Sequence, residues 1–129
     1  MITLDASVLI AFLSQDDVHH DAAKAILETD DRLLAHTITV AEVLVAPAAA
    51  GRLEQARRQL SAVLLNEVDR IEGEAAKLAR LRAETRLKLP DCCVLLAAES
   101  STSPLATFDR RLAEVARTRG VTVVDQVVR

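Results

Sequence analysis

Aromatic side chains are nearly absent from this sequence of 129 residues. It contains two phenylalanines, Phe12 and Phe108, and neither tyrosine nor tryptophan, although half of its residues are hydrophobic. A protein of this composition must build its core from leucine, valine, isoleucine and alanine. That inventory favours alanine-rich helices packed on an aliphatic sheet.

Cysteine and long apolar runs are equally scarce. The two cysteines, Cys92 and Cys93, are adjacent, which excludes a disulfide framework and the usual spacing of zinc ligands, so we expect them to be small core residues. No apolar run is long enough to span a membrane. The first apolar run is interrupted by Asp5 and lacks a small-residue cleavage site, so we expect no signal peptide and a cytoplasmic protein.

The sequence also has no excess of positive charge. Its net charge is −3 and its pI is about 5.6, which argues against a generally basic surface that coats nucleic acid. The net charge of −3 becomes +1, however, if the four acids singled out below are set aside because bound cations neutralise them. A polyanionic substrate is therefore not excluded.

Short apolar segments alternate with helical patterns along the whole chain. We predict strands at 2–4, 32–35, 105–108 and 121–124, with 66–71 as either a further strand or an extended crossover. Helical patterns occupy 8–13, 19–28, 39–45, 51–65, 72–87, 89–98 and 110–119. We expect a break at Pro47, burial of the apolar run 92–98, and an inward face of the helix over 72–87 that includes Ala75 and Ala79. The alternation predicts one domain over residues 1–129, an α/β/α sandwich of three layers around a mostly parallel sheet of four to five short strands.

Four acids stand where predicted helices begin: Asp5, Glu42, Asp91 and Asp109. Each has an ordinary explanation as a cap or first-turn acid, and Thr39 with Glu42 matches a capping box. In a parallel sheet, however, the strand-to-helix junctions lie on one edge, so the four carboxylates could share a crevice. Their mutual repulsion would then be relieved by a divalent cation, and oxygen ligands favour Mg²⁺ or Mn²⁺.

Four segments together resemble the PIN-domain family: residues 2–7 (ITLDAS), 39–44 (TVAEVL), 89–91 (LPD) and 106–111 (ATFDRR). More narrowly, the chain resembles the VapC ribonuclease toxins of VapBC toxin–antitoxin systems. The resemblance implies an endoribonuclease dependent on Mg²⁺, for which Mn²⁺ can substitute. It also implies that Asp5, Asp91 and Asp109 hold the metal directly or through water, and that Glu42 helps to bind or orient it.

The same resemblance implies supporting residues and partners. Ser7 and Thr107 match polar positions near the metal, although simple capping and turn roles remain open for both. The implied partners are a second copy of the chain, forming a homodimer, and a small VapB-like antitoxin that wraps the toxin near its first helices. The apolar residues of the first helix suit either such a partner or simple burial: Val8, Leu9, Phe12 and Leu13.

An RNA substrate needs positive charge near the acids. The candidates for phosphate contacts are the cations beside Asp91 and Asp109, for which ordinary solvated surface is the alternative: Arg86, Lys88, Arg110 and Arg111. Because aromatics are so few, we expect recognition of RNA shape and backbone more than stacking. Of the three histidines, His19 and His20 lie at a predicted helix start and His36 in a predicted loop, and all three are expected to have surface or structural roles.

Other functions fit the sequence less well. A phosphatase with a covalent aspartate would want a carboxylate at position 7, where Ser7 stands. A non-catalytic regulatory module with an acidic pocket would want a lysine after the last strand, where Asp125 and Gln126 stand. A PIN-like nuclease of RNA maturation, without an antitoxin, remains open. Asp125 either joins the acids as a fifth member or ends the last strand.

Overall fold

The computed structural model describes residues 1–68 and 70–124, so the question raised by Asp125 lies outside the described residues. Its strands are β1 (Ile2–Leu4), β2 (Leu33–His36), β3 (Asn66–Val68), β4 (Leu105–Ala106) and β5 (Val123–Val124). They form one sheet in the order β3-β2-β1-β4-β5, and every neighbouring pair is parallel. The predicted fold class is confirmed, and the uncertain segment after residue 65 is a strand.

Seven helices connect and follow these strands within the described part of the chain. They are α1 (Ala6–Leu13), α2 (His20–Leu27), α3 (Thr37–Ala49), α4 (Leu53–Ala62), α5 (Glu74–Thr85), α6 (Leu89–Ser101) and α7 (Arg110–Thr118). The almost wholly apolar run from Cys92 to Ala98 is buried in α6, as predicted, and both cysteines lie in the core as free thiols.

The strands alternate their side chains between two hydrophobic cores, one on each face of the sheet. One face packs against α1 to α4 through Ile2, Leu4, Leu33, Ala35 and Ala106. The opposite face packs against α5 to α7 and includes Leu105, with Val123 beside it. Helices therefore cover both faces, which gives the three-layer sandwich.

The topology places a crevice at the carboxyl end of β1. From β1 the chain builds β2 and β3 on one side and later returns to add β4 and β5 on the other. Strand order thus reverses between β1 and β4, which is where open α/β sheets bind their ligands. Leu4 pairs with Ala106, so the residues that follow, Asp5 and Thr107, leave the sheet side by side.

The start of α3 differs from the prediction. The capping box of Thr39 and Glu42 is wrong, because α3 begins at Thr37 and its N-cap is His36, which accepts a hydrogen bond from the Ile38 N–H (3.0 Å). Thr39 is fully buried inside the helix. Tertiary burial of the segment at the end of β2 has overridden the local capping signal.

Two further helix predictions are wrong in detail. Pro47 does not break α3, because it lies in the last turn and removes only one helical hydrogen bond there; Gly51, with φ of +73°, turns the chain away. Ala75 and Ala79 of α5 were predicted to face inward but are exposed. Among the residues of α5 only Leu81 is fully buried, since this helix makes most of its contacts with α6 and reaches the core on its side of the sheet through Leu81.

Candidate active site

Asp5 is the buried centre of the candidate site. It follows β1 and caps α1, with only 4% of its surface exposed. Its Oδ1 accepts hydrogen bonds from the Ser7 hydroxyl (2.7 Å) and the Val8 N–H (3.1 Å), and its Oδ2 accepts one from the Thr107 hydroxyl. Three donors satisfy a carboxylate that would otherwise be costly to bury. A carboxylate has about four acceptor positions, so one remains for a ligand.

Ser7 and Thr107 also fix the loop after β4. The Thr107 oxygen accepts a hydrogen bond from the Asp109 N–H (2.9 Å), and the Ser7 oxygen accepts one from the Phe108 N–H (2.9 Å). Asp109 in turn caps α7 by accepting from the Leu112 N–H (3.0 Å). Each hydroxyl therefore has a local structural role and, at the same time, contacts Asp5.

Electrostatics link all four predicted acids. Burial is the main cause of the raised pKa of Asp5; its hydrogen bonds oppose the shift and the charge of Asp109 adds to it. Burial also raises the pKa of Asp91, again with help from Asp109. The pKa of Glu42 is raised by burial and by the charge of Asp91. The four carboxylates thus form an interacting series in the order Asp5, Asp109, Asp91, Glu42.

The acids differ in how far they are open to solvent and in their local roles. Asp5 is buried, Asp91 is half-buried, and Glu42 and Asp109 are exposed. Asp5 and Asp109 are N-caps, as their alternative explanation required. Asp91 lies in the first turn of α6, whose N-cap is Lys88, and Glu42 lies in the second turn of α3. Asp91 therefore fits its alternative explanation as a first-turn acid, whereas neither a cap nor a first-turn position explains Glu42.

The donor set suits a hard divalent ion held partly through water. Within residues 1–68 and 70–124, no three His, Cys, Asp or Glu side chains are grouped closely enough to form a ready ligand set. Mg²⁺ does not need one, because it usually keeps several waters and binds through one or two carboxylates. The raised pKa values of three of the acids show that this crevice disfavours uncompensated negative charge.

The predicted phosphate-binding cations are placed unequally. Lys88 and Arg111 lie near enough to Asp91 for their charges to oppose the rise in its pKa. Arg110 lines a cavity beside Asp109. Arg86 is exposed at the end of α5, and the contacts described for it are made by its backbone.

The histidines have structural contacts that the sequence did not reveal. His36 was predicted in a loop but is buried at the end of β2, where its Nε2 pairs with the Glu74 carboxylate. His20 Nδ1 bonds the Ala11 carbonyl oxygen (2.8 Å). His19 stacks on Phe108 with ring centroids 4.5 Å apart. Sequence reasoning missed the stack of His19 and Phe108, because His19 is distant from the acids along the chain. The available signal was the position of Phe108 between Thr107 and Asp109.

No helix in the described ranges 1–68 and 70–124 has the length and apolar character needed to cross a membrane.

The chain is similar in fold to solved toxin–antitoxin proteins. A toxin–antitoxin complex from Klebsiella pneumoniae is 26% identical, with a TM-score of 0.76 and coverage of 97% of both chains. VapBC2 from Rickettsia felis, bound to a promoter DNA fragment, is 17% identical, with a TM-score of 0.74 and coverage of 98% of this chain and 100% of that one.

VapC20 from Mycobacterium tuberculosis, described as a sarcin–ricin loop cleaving toxin, is 13% identical, with a TM-score of 0.71. The match covers 89% of this chain and 95% of that one. No curated protein matches the sequence. The family model of the PIN domain matches residues 2–118. With nearly the whole described chain inside that match, this protein belongs to the PIN domain family.

Proposed function

We propose that this protein is a Mg²⁺-dependent endoribonuclease, with Mn²⁺ able to substitute, and that it acts in the cytoplasm as the toxin of a type II toxin–antitoxin pair. The observation that carries the proposal is the buried Asp5 carboxylate at the switch point of the sheet, coupled electrostatically to Asp109, which is coupled to Asp91, which in turn is coupled to Glu42. Membership of the PIN domain family supports it. So does the fold shared with toxin–antitoxin complexes and a loop-cleaving toxin.

In this proposal the four acids divide the work of holding the ion. Asp5, Asp91 and Asp109 bind it directly or through water, and Glu42 binds or orients it from the edge of the crevice. When bound, a divalent ion neutralises the acids, binds the phosphate and lowers the pKa of the attacking water. Ser7 and Thr107 hold Asp5 in one orientation by donating to its two oxygens.

The cations near the acids suit the charge of the substrate. Lys88 and Arg111 act on Asp91 through space, and Arg110 borders Asp109 in the adjoining cavity. We propose these three side chains, and Arg86 at the end of α5, as contacts to RNA phosphates. Such contacts provide affinity that does not depend on sequence and that weakens with salt.

Exposed apolar side chains support protein partners. Along α3, Ile38, Ala41, Val45 and Ala48 are exposed at helical spacing, and Val45 has 65% of its surface open. We assign this α3 stripe to a homodimer contact. On α1, Phe12 and Leu13 pack against the core and Ile10 is the exposed residue. We assign the surface around Ile10 to the antitoxin.

Calorimetric titration of Mn²⁺ into the metal-free protein tests the site. Wild type should bind, and Asp91→Asn should weaken binding by about tenfold or more, because the amide keeps the volume of the side chain but removes the charge that the ion needs. Asp30→Asn, the same change at an exposed loop residue, is the matched control. Equal binding by wild type and Asp91→Asn, or no binding to wild type at millimolar Mn²⁺, would contradict the metal site.

Cleavage of total cellular RNA tests the activity. Discrete Mn²⁺-dependent fragments should appear with wild type and with Asp30→Asn, and none with Asp91→Asn. The circular dichroism spectrum of Asp91→Asn should match that of wild type, since the substituted side chain is half-buried and belongs to neither core cluster. Full activity in this variant would overturn the assignment of the acids.

A further inference from the structure

A cavity of about 510 Å³ adjoins the acids on the α7 side. Thr107 and Asp109 form its boundary with the candidate active site, and Arg110, Glu114 and Arg117 line it from α7. The remaining wall is made by the rings of His19 and Phe108. The cavity therefore places two stacked rings next to both arginines and carboxylates, directly beside the proposed metal site.

The two rings form a preformed stack. Their centroids are 4.5 Å apart and their planes differ by 16°. Phe108 is half-buried and packs against the core, whereas His19 is exposed, so the imidazole is the accessible member of the pair. The backbone on both sides is held, because the His19 N–H donates to Asp17 Oδ1 (2.8 Å) and the Phe108 N–H donates to the Ser7 oxygen (2.9 Å).

A surface of this kind suits one unpaired nucleobase. Proteins bind single-stranded RNA by stacking bases on aromatic rings, including histidine, next to cations that contact the backbone. A base inside a double helix has both faces covered by its neighbours and cannot use such a wall. Phosphate is expected at Arg110, because this arginine lines the cavity next to Asp109, the acid that the proposed metal would neutralise, whereas Glu114 adds a second negative charge one turn further along α7.

We infer that this cavity binds one unpaired ribonucleotide, with its base on the ring of His19 and its phosphate at Arg110, so that the adjoining phosphodiester reaches Asp109. The choice of RNA as ligand rests on the proposed function. The scarcity of aromatic residues predicted recognition of RNA shape and backbone more than stacking. The structure pairs one of the two phenylalanines with a histidine and so provides a platform for one base where the chemistry is proposed.

Fluorescence anisotropy with a labelled octauridylate tests the base contact. It is measured in EDTA, so that neither cleavage nor metal binding contributes. His19→Ala should weaken binding by about tenfold, as expected for losing one base stack, and His19→Tyr should restore it because the ring is retained. The thermal midpoint of His19→Ala should stay near that of wild type, since the side chain is exposed. Equal binding by wild type and His19→Ala, or equally tight binding of an RNA duplex by wild type, would overturn the inference.

The salt dependence of the same titration tests the phosphate contact. Arg110→Gln should lower the slope of log affinity against log salt by about 0.7, the value for one phosphate contact to a single strand. Arg58→Gln, an exposed arginine on α4, is the matched control and should leave the slope unchanged. Equal slopes for Arg110→Gln and wild type would remove Arg110 from the subsite.

Photocrosslinking locates the base directly. An octamer carrying 5-iodouridine should give adducts on His19 or Phe108 by mass spectrometry, and adducts confined to other residues would contradict the subsite.

The Mn²⁺ titration separates the proposed metal site from the proposed nucleotide subsite. If His19-dependent RNA binding persists in a protein that binds no Mn²⁺, the metal site fails and the subsite stands. If Asp91-dependent cleavage persists while His19→Ala binds RNA as wild type does, only the subsite fails.

Discussion

At the scale of single residues, capping and a place in the acidic site are not exclusive. Asp5 accepts from the Val8 N–H as a helix cap, yet its other oxygen faces Thr107 across the switch point. Asp109 likewise caps α7 while its charge raises the pKa of both Asp5 and Asp91. A helix N-terminus stabilises a carboxylate, so the cap itself helps to keep charge in the crevice.

Thr107 should position Asp5 for metal binding. Its hydroxyl donates to Asp5 and accepts from the Asp109 N–H, and Thr107→Val removes both bonds while keeping the shape. We expect Mn²⁺ binding to weaken by about tenfold and the free energy of unfolding to fall by about 1–3 kcal/mol. Thr107→Ser keeps the hydroxyl and should stay close to wild type. Calorimetry measures the Mn²⁺ affinity, and urea denaturation measures the free energy of unfolding. Unchanged Mn²⁺ affinity in Thr107→Val would argue against the positioning role.

The raised pKa of Asp91 predicts an unusual pH dependence of stability. A carboxyl group whose folded-state pKa lies above its unfolded value contributes most stability at low pH and loses it as pH rises through the folded pKa. Asp91→Asn has no such loss. In the absence of metal, the unfolding free energy of Asp91→Asn minus that of wild type should therefore grow from about pH 4 to 7, by a few tenths of a kcal/mol because the side chain is half-exposed. Urea denaturation across this range measures it; a difference that shrinks with pH has the wrong sign.

At the scale of elements, one buried histidine, His36, joins the carboxyl end of β2 to the start of α5. His36 Nδ1 accepts from the Ile38 N–H at the start of α3, so Nε2 is the ring nitrogen that donates to Glu74 in the first turn of α5. This junction is why α3 begins at Thr37. The earlier start leaves Glu42 in the second turn of α3, where burial and then the charge of Asp91 raise its pKa.

Removing that imidazole should loosen the junction. His36→Ala loses the cap of α3 and leaves Glu74 without its partner, so we expect the free energy of unfolding to fall by about 1–2 kcal/mol. His36→Asn keeps an acceptor for the Ile38 N–H and should recover part of the loss. Equilibrium urea denaturation of the three proteins measures the order; identical stability of the Ala and Asn variants would show that the cap contributes nothing.

At the scale of the whole molecule, the two cores leave one helix face uncovered. The sheet faces are closed by α1 to α4 and by α5 to α7, but the α3 stripe stays exposed. An apolar surface at helical spacing typically marks a protein interface. Its place on the helix that carries Glu42 puts the proposed dimer contact beside the candidate active site.

A charge in the α3 stripe should therefore weaken self-association. We expect wild type to sediment as a dimer at micromolar concentration and Val45→Lys to shift towards the monomer, because the substitution would bury an unpaired ammonium group. Leu64→Lys is the matched control, since Leu64 is also apolar and 79% exposed but lies outside α3. Sedimentation velocity measures the shift; a monomeric wild type, or an effect from Leu64→Lys alone, would place the interface elsewhere.

Much of this protein is readable in its sequence because the relevant patterns are local. The alternation of short apolar segments with amphipathic ones determines the parallel sandwich. The acids at 5, 42, 91 and 109 stand out because each lies at the start of a predicted helix, after a predicted strand or loop. These signals survive in a chain with few aromatics, since they depend on periodicity and on hydrogen bonding within a few residues.

Only the tertiary structure decides what lies together across the chain. The placement of β4 beside β1 brings Thr107 to Asp5, and the packing of α2 brings His19 to Phe108. The pairing of His36 with Glu74 likewise moves the start of α3 away from its local capping signal. Such contacts follow from the packing of whole layers against the sheet, which makes burial compete with local propensity, so no short stretch of sequence could have revealed them.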